Sequence, residues 1–169
     1  AVKAEAYIDQ QNSELNALKE LLKNPNDTVK RVQELLDENA ALQKQIEQFT
    51  SEKTQQVKRI MLDRIKSVKG INIIAERVEL PSAEAIKNLS FELKNQVDNL
   101  FFLAGAEIDG KALLSLIVSE NLVKEKNLNA TNIIRELAKE IQGGGGGQPF
   151  YATAGGKNPE GLTKAIERA

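Results

Sequence analysis

Fourteen residues concentrate the chemistry of this chain. Gly143 to Gly156 reads GGGGGQPFYATAGG and holds seven of the eleven glycines and two of the seven aromatic residues. A run of five glycines is unfavourable in any regular element, because glycine loses the most backbone entropy on ordering. Such a run is useful where backbone approaches a ligand closely, or where several N–H groups point at one anion. Pro149 suits the first turn of a helix. The spacing therefore predicts a glycine loop, one or two short turns over Phe150–Ala154, and an end at Gly155-Gly156. A flexible linker is the competing reading, although linkers are Gly/Ser-rich and lack an embedded Pro-Phe-Tyr.

Much chemistry is excluded. The 169 residues include no His and no Cys, which removes thiol nucleophiles, disulfides, imidazole bases and the usual zinc ligands. The loop is not a Walker A motif, since Gly156-Lys157 is followed by Asn158 rather than Ser or Thr. A Rossmann fingerprint follows a strand, whereas this loop is expected after a helix. The carboxylates fall mostly on expected exposed helix faces, and Asp109 belongs to a turn. The reading is a non-catalytic piece with no metal site.

Two regions must position the glycine stretch. Residues 1–68 read as a helical hairpin or coiled-coil arm. The first helix covers residues 1 to about 23, with Ile8, Leu15, Leu18 and Leu22 on one seam. Asn24-Pro25-Asn26-Asp27 breaks it, and Asp27 caps a second helix expected from Thr28 to Val68. Heptad counting places Val32, Asn39 and Ile46 at one seam position, and Leu35, Leu42 and Phe49 at the other. A polar Asn39 at such a position fixes register and strand number. The pattern slips at Lys53 and Gln56 and resumes at Val57, Met61, Ile65 and Val68. A helix of ~40 residues is ~60 Å long and cannot bury its seam against itself.

Residues 69–169 read as a small domain, α/β in the mixed α+β sense, with a sheet covered by helices. Gly70 ends the arm. Residues 71–78 are β-rich, and a helix follows Pro81-Ser82 to about Val97. Strands at 100–108 and 111–119 flank Asp109-Gly110, a strong two-residue hairpin signal. The second strand carries a continuous apolar run, expected of a central strand covered on both faces. Asn129 or Thr131 caps another helix. The glycine loop comes next, and Asn158-Pro159-Glu160 opens the last helix. The expected order is β-α-β-β-α-loop-α.

The net charge is −1, which excludes a globally basic nucleic-acid binder but not a local patch. Residues 1–52 hold ten acidic and six basic side chains. Residues 53–69 hold Lys53, Lys58, Arg59, Arg64, Lys66 and Lys69 against Asp63 alone. That cluster is either a solvated helix face or a contact for a polyanion. No apolar run is long enough to span a bilayer, and no signal peptide opens the chain. A soluble, cytoplasmic protein is expected. The start at Ala1 suggests a piece of a longer one.

With these elements in order, the chain resembles the C-terminal region of alanyl-tRNA synthetases over essentially all of its length. Ala4-Glu5-Ala6-Tyr7 resembles that family's exit from its editing domain. The helical arm follows, then a DHHA1-type domain shared with DHH phosphoesterases. GGGGGQPFYATAGGKNPEGL at 143–162 carries the resemblance most specifically. The family commonly has Arg, Asp, Met and Gln where this chain has Gln148, Phe150, Tyr151 and Thr153. The phosphoesterases have a His near Gln148.

The resemblance implies a parent that activates alanine with ATP, charges tRNA(Ala) and edits mischarged tRNA in a zinc-dependent domain. ATP, Mg²⁺ and zinc would then be needed only upstream of Ala1. It implies tRNA(Ala) and a second copy of the chain as partners, with neither DNA nor membrane. The RNA candidates are Gly143, Gly144, Gly145, Gly146, Gly147, Gln148, Tyr151, Lys157 and Lys111, with Arg64, Lys66 and Lys69 from the basic cluster. The dimerisation candidates are Val32, Leu35, Asn39, Leu42, Ile46 and Phe49. The bland alternatives are core packing for Phe150 or Tyr151, solvation for Lys157, and a purely structural homodimerisation module.

Overall fold

A computed structural model describes residues 2–169. The chain divides into two compact units, one reaching Glu47 and the other covering Gln48–Ala169. The first contains α1 (Val2–Leu21) and the first part of α2 (Thr28–Asp63). Lys23 and Asn24 adopt left-handed backbone, with φ of 62° and 50°, and so end α1. The Asp27 carboxylate accepts the Lys30 amide at 2.9 Å and caps α2.

This unit does not bury its own seam. Leu15, Leu18, Val32 and Leu35 are 36–44% exposed, while Ile8 and Leu42 reach 57% and Ile46 64%. Asn39 is exposed as well. Apolar stripes left this open are unusual in a monomer and mark a surface that needs covering.

The second unit is a three-layer sandwich around one six-stranded sheet. The strand order is β1-β2-β3-β4-β6-β5. The strands are β1 (Lys66–Val68), β2 (Ile71–Arg77), β3 (Leu100–Ile108), β4 (Lys111–Val118), β5 (Gly143–Gln148) and β6 (Tyr151–Gly156). β2 and β3 are parallel and are joined through α3 (Ala83–Gln96); the other neighbours are antiparallel. Ser82 caps α3 by accepting the Ala85 amide at 3.1 Å. Asp109 and Gly110, with φ of 50° and 72°, make the tight turn between β3 and β4.

Side-chain alternation divides the core in two. Leu103, Leu114, Leu116 and Val118 face α4 (Glu120–Glu125), α5 (Ala130–Leu137) and α6 (Gly161–Glu167). Phe102, Ala104, Ala106 and Ile117 face α3 and the last turns of α2 through Val57 and Met61. β4 is thus covered on both faces, as its apolar run requires.

Three expectations are corrected. α2 stops at Asp63, not Val68, because β-branched Val68 pairs with Ile71 and the Lys69-Gly70 turn has φ of 50° and 79°. Gly70 therefore turns a β1–β2 hairpin rather than ending a helix. α4 lies between β4 and α5, where no element was expected. The largest difference is at 143–156. The glycine run is not a loop leading into helical turns but a β-hairpin, with Pro149-Phe150 as its turn. Residues 151–156 alternate instead of coiling: Ala152 and Ala154 point into the core, while Tyr151 and Thr153 lie on the other face.

The two units make opposite predictions for leucine truncation. Leu114 is fully buried, so Leu114→Ala should cost about 2–5 kcal/mol and lower the urea midpoint. Leu42→Ala, at a 57% exposed site, should leave the midpoint of dilute chain nearly unchanged. Equal losses would contradict the burial described.

Candidate nucleic-acid interface

The β5–β6 hairpin occupies one edge of the sheet, with β5 outermost. Glycine is obligatory along one side of β5. A methyl group at Gly143, Gly145 or Gly147 would overlap the carbonyl oxygen of Gly155, Thr153 or Tyr151. The hairpin is fastened at both ends. The Gly143 amide donates to the Ala138 carbonyl at 3.0 Å, and the Thr131 hydroxyl donates to the Gln148 carbonyl at 3.2 Å. The Val118 amide donates to the Phe150 carbonyl at 2.8 Å, which ties the turn to β4.

Some of the RNA candidates come together. Lys111 and Lys157 line an open groove of about 580 Å³ with Gly143, Gly155, Gly156 and Asp109. The pairings Ala112↔Gly156 and Gly143↔Gly156 explain this, because they place the start of β4, the end of β6 and the start of β5 in one row. Gln148 and Tyr151 pair at the other end of the hairpin, five residues along, roughly 17 Å away.

The basic cluster lies elsewhere. β1 is the opposite edge from β5, five strand spacings or roughly 24 Å away, so Lys66 and Lys69 do not share a contact point with Lys157. The cluster is also partly neutralised. Arg64 pairs with Glu76 at 2.8 Å, Lys58 with Glu92 at 2.8 Å, and Lys53 more loosely with Glu79 at 3.9 Å. Among the described residues, no carboxylate lies within 4.0 Å of Lys66, Lys69, Lys87, Lys111 or Lys157.

Both hairpin aromatics are occupied by the protein itself. The Tyr151 ring packs on Phe91 with centroids 5.3 Å apart, and its hydroxyl lies 3.4 Å from that of Ser115. The Phe150 ring carries the Lys94 ammonium 5.0 Å from its centroid, and Lys94 also pairs with Glu120 at 3.0 Å. Sequence reasoning missed Lys87, Ser115 and Thr153, which share a second groove of about 410 Å³ with Tyr151. Ser115 gave a signal, as the one hydroxyl inside the apolar run of β4. Of the six seam candidates, Val32, Leu35, Asn39, Leu42 and Ile46 lie on the exposed arm, and Phe49 is 69% exposed.

Electrostatics fixes the base of the hairpin. Glu140, in the turn that follows α5, accepts hydrogen bonds from Lys164 and Arg168, each at 2.8 Å. Its side chain is 14% exposed. The Lys164 ammonium first, and the Arg168 guanidinium second, hold the Glu140 carboxyl below its ordinary range. Among the described residues no three His, Cys, Asp or Glu side chains cluster as metal ligands, and no helix is long and apolar enough to cross a membrane.

Comparison with known proteins follows this geometry closely. Residues 70–169 match the DHHA1 domain family. The whole chain is 45% identical to an alanine–tRNA ligase of Cytophaga hutchinsonii, and 96% of it is 49% identical to one of Christiangramia forsetii. In both cases the chain spans 19% of the relative's length. Among solved structures it is similar to the C-Ala domain of Aquifex aeolicus alanyl-tRNA synthetase. That match has a TM-score of 0.56 and 25% identity, and covers 62% of this chain and 92% of that one.

The Glu140 bridges carry a pH signature. A depressed carboxyl contributes stability that is fully present above its ordinary value of 4.5 and is lost as pH falls through the lower folded-state value. Glu140→Gln should therefore lower the thermal midpoint at pH 7, and the gap to the wild type should close as the pH drops below 4.5. A gap that stays constant across the acid range would remove this role for Glu140.

Proposed function

Since the chain belongs to the DHHA1 domain family and aligns along its full length with alanine–tRNA ligases, we propose that it is the tRNA-binding and dimerising region of such a ligase. It takes no part in bond-making itself. Alanine activation, charging and editing, with ATP, Mg²⁺ and zinc, belong to the remainder of a longer cytoplasmic parent. The observation that carries the RNA reading is the pair Lys111 and Lys157, both without carboxylate partners, beside backbone stripped of side chains. A sugar–phosphate chain needs cations and close access, and an edge strand of glycine provides the access. Lys66 and Lys69 form a second cationic point on the far edge, at a separation suited to successive stretches of one large RNA rather than a single phosphate. The tRNA corner is the part this surface would meet.

The arm supports the dimer reading. Val32, Leu35, Leu42 and Ile46 form an apolar stripe that the first unit leaves open, and a second copy would bury it. The same stripe supports the alternative, a purely structural homodimerisation module without RNA affinity of its own.

Titrating the chain with tRNA(Ala) at several salt concentrations, with mass measured in parallel, separates these. The proposed function requires affinity that falls steeply with salt and a species of twice the monomer mass. Lys111→Gln with Lys157→Gln should reduce the log–log salt slope by about 1.5 to 2. Ile46→Glu should halve the mass. Dimer without tRNA affinity selects the structural module, and an unchanged slope removes the two lysines from the interface.

A further inference from the structure

The last turns of α2, residues 48–63, belong to the second unit but are held to it unlike any other element. Thr54, Val57 and Met61 are the buried residues of α2, at 5%, 7% and 3% exposure. At 3.6 residues per turn the three fall within about 60° of the helix circumference. A helix packed on a core ordinarily presents a stripe about 100° wide or more. The Thr54 hydroxyl donates to the Thr50 carbonyl at 2.7 Å, so it makes no polar bond to the sheet. Val57 and Met61 therefore supply most of the apolar surface, with Leu62 and Ile65 half-buried beside them. Among the described residues, no backbone hydrogen bond joins 48–63 to β2, α3 or β3.

Ion pairs flank the stripe on both sides. Lys53, and Arg64 in the turn that ends α2, fall on one side of it, and Lys58 falls on the other. Each meets a carboxylate from a different part of the sheet layer. Arg64 meets Glu76 of β2 at 2.8 Å, Lys53 meets Glu79 beyond β2 at 3.9 Å, and Lys58 meets Glu92 of α3 at 2.8 Å. The Gln55 amide also donates to Glu92, at 3.0 Å. Lys58 first, and Gln55 second, hold the Glu92 carboxyl below its ordinary range. Residues 53–69 carry six cations, and these pairs engage three of them.

We infer that residues 48–63 form a strap, closed over the apolar cluster of Ile74, Val78, Leu80 and Ile86 by ion pairs on either flank of a narrow stripe, and that competing ions open it while the sheet stays folded. The apolar stripe alone is too narrow to make the strap part of the cooperative core. The pairs close it, and exposed or half-exposed pairs are screened by salt. Opening is local because the ladders from β1 to β5 do not pass through α2. The open strap leaves part of the cluster without its cover and frees Lys53, Lys58 and Arg64. Any anion that takes up those three cations favours the open form, since it binds there and not to the closed one. The device is a property of the second unit and is independent of the proposed function.

The chain has no native Cys, so a single introduced thiol reports opening. Met61→Cys and Val57→Cys place it under the strap, and Val118→Cys places it in the core on the other face of the sheet. Reaction with a water-soluble disulfide reagent should be faster for the two strap thiols than for Val118→Cys, equal for the two, and less dependent on urea. Raising NaCl from 50 mM to 1 M should speed strap labelling by a factor of about ten, with circular dichroism unchanged. Glu76→Gln, Glu79→Gln and Glu92→Gln together, in the Met61→Cys chain, should give the fast rate already at low salt and lose most of the salt response. Strap thiols that label at the rate and urea dependence of Val118→Cys overturn the inference, because the segment then opens only with the whole domain. A rate indifferent to salt and to the three glutamates overturns the ion pairs as its closure. Different rates at Val57→Cys and Met61→Cys overturn concerted opening.

Discussion

The ladder between β4 and β6 is the constraint from which the rest of the second unit follows. It joins a deeply buried strand, whose Leu114, Leu116 and Ile117 are inaccessible, to a segment of mostly small residues. Backbone amides and carbonyls must be paired when buried, and β4 offers an unfilled edge beyond β3. Residues 151–156 fill it, and the glycine run then has nowhere to go except the outside of β6. α5 and α6 close over one face of the pair, held at their base by Glu140. The edge, the grooves and the placement of Lys111 and Lys157 are consequences of that single pairing.

Most of the domain was legible because its signals are local and strong. Asp109-Gly110 announced the hairpin, Ser82 and Asn129 announced helix starts, and the run Leu113–Val118 announced a strand covered on both sides. The glycine hairpin was misread because propensity argues against it. Five glycines and a proline look like a loop until a partner strand is known, and the partner lies more than thirty residues earlier. The alternation of alanine with larger residues at 151–154 was the available clue. β1 was hidden for a related reason: three residues that continue a heptad rhythm were taken by the Lys69-Gly70 turn. In the candidate interface, charges were legible as residue types but not as pairs. Arg64 looked free in the sequence and is bound to Glu76, whereas Lys87, which lines a groove with Tyr151, drew no attention.

The two units solve opposite problems. The second encloses its apolar surface within three layers and leaves backbone open at one edge. The first leaves apolar surface open and carries most of its described backbone in helices. In such a chain the exposed apolar area belongs to one unit and the open backbone edge to the other. Changes to one surface can then leave the other untouched.

The glycine hairpin also bears on how the protein acquires its shape. β3 and β4 are adjacent in sequence and meet through a tight turn, so they close a short loop. β5 is almost all glycine and β6 offers only Tyr151 and Thr153 as strand-favouring side chains, and β6 must find β4 across an intervening pair of helices. Long loops close late, after local contacts have formed. The β5–β6 edge is therefore expected to be the last layer added to the sheet, after the core has formed. A completed β5–β6 edge then reports that folding has finished.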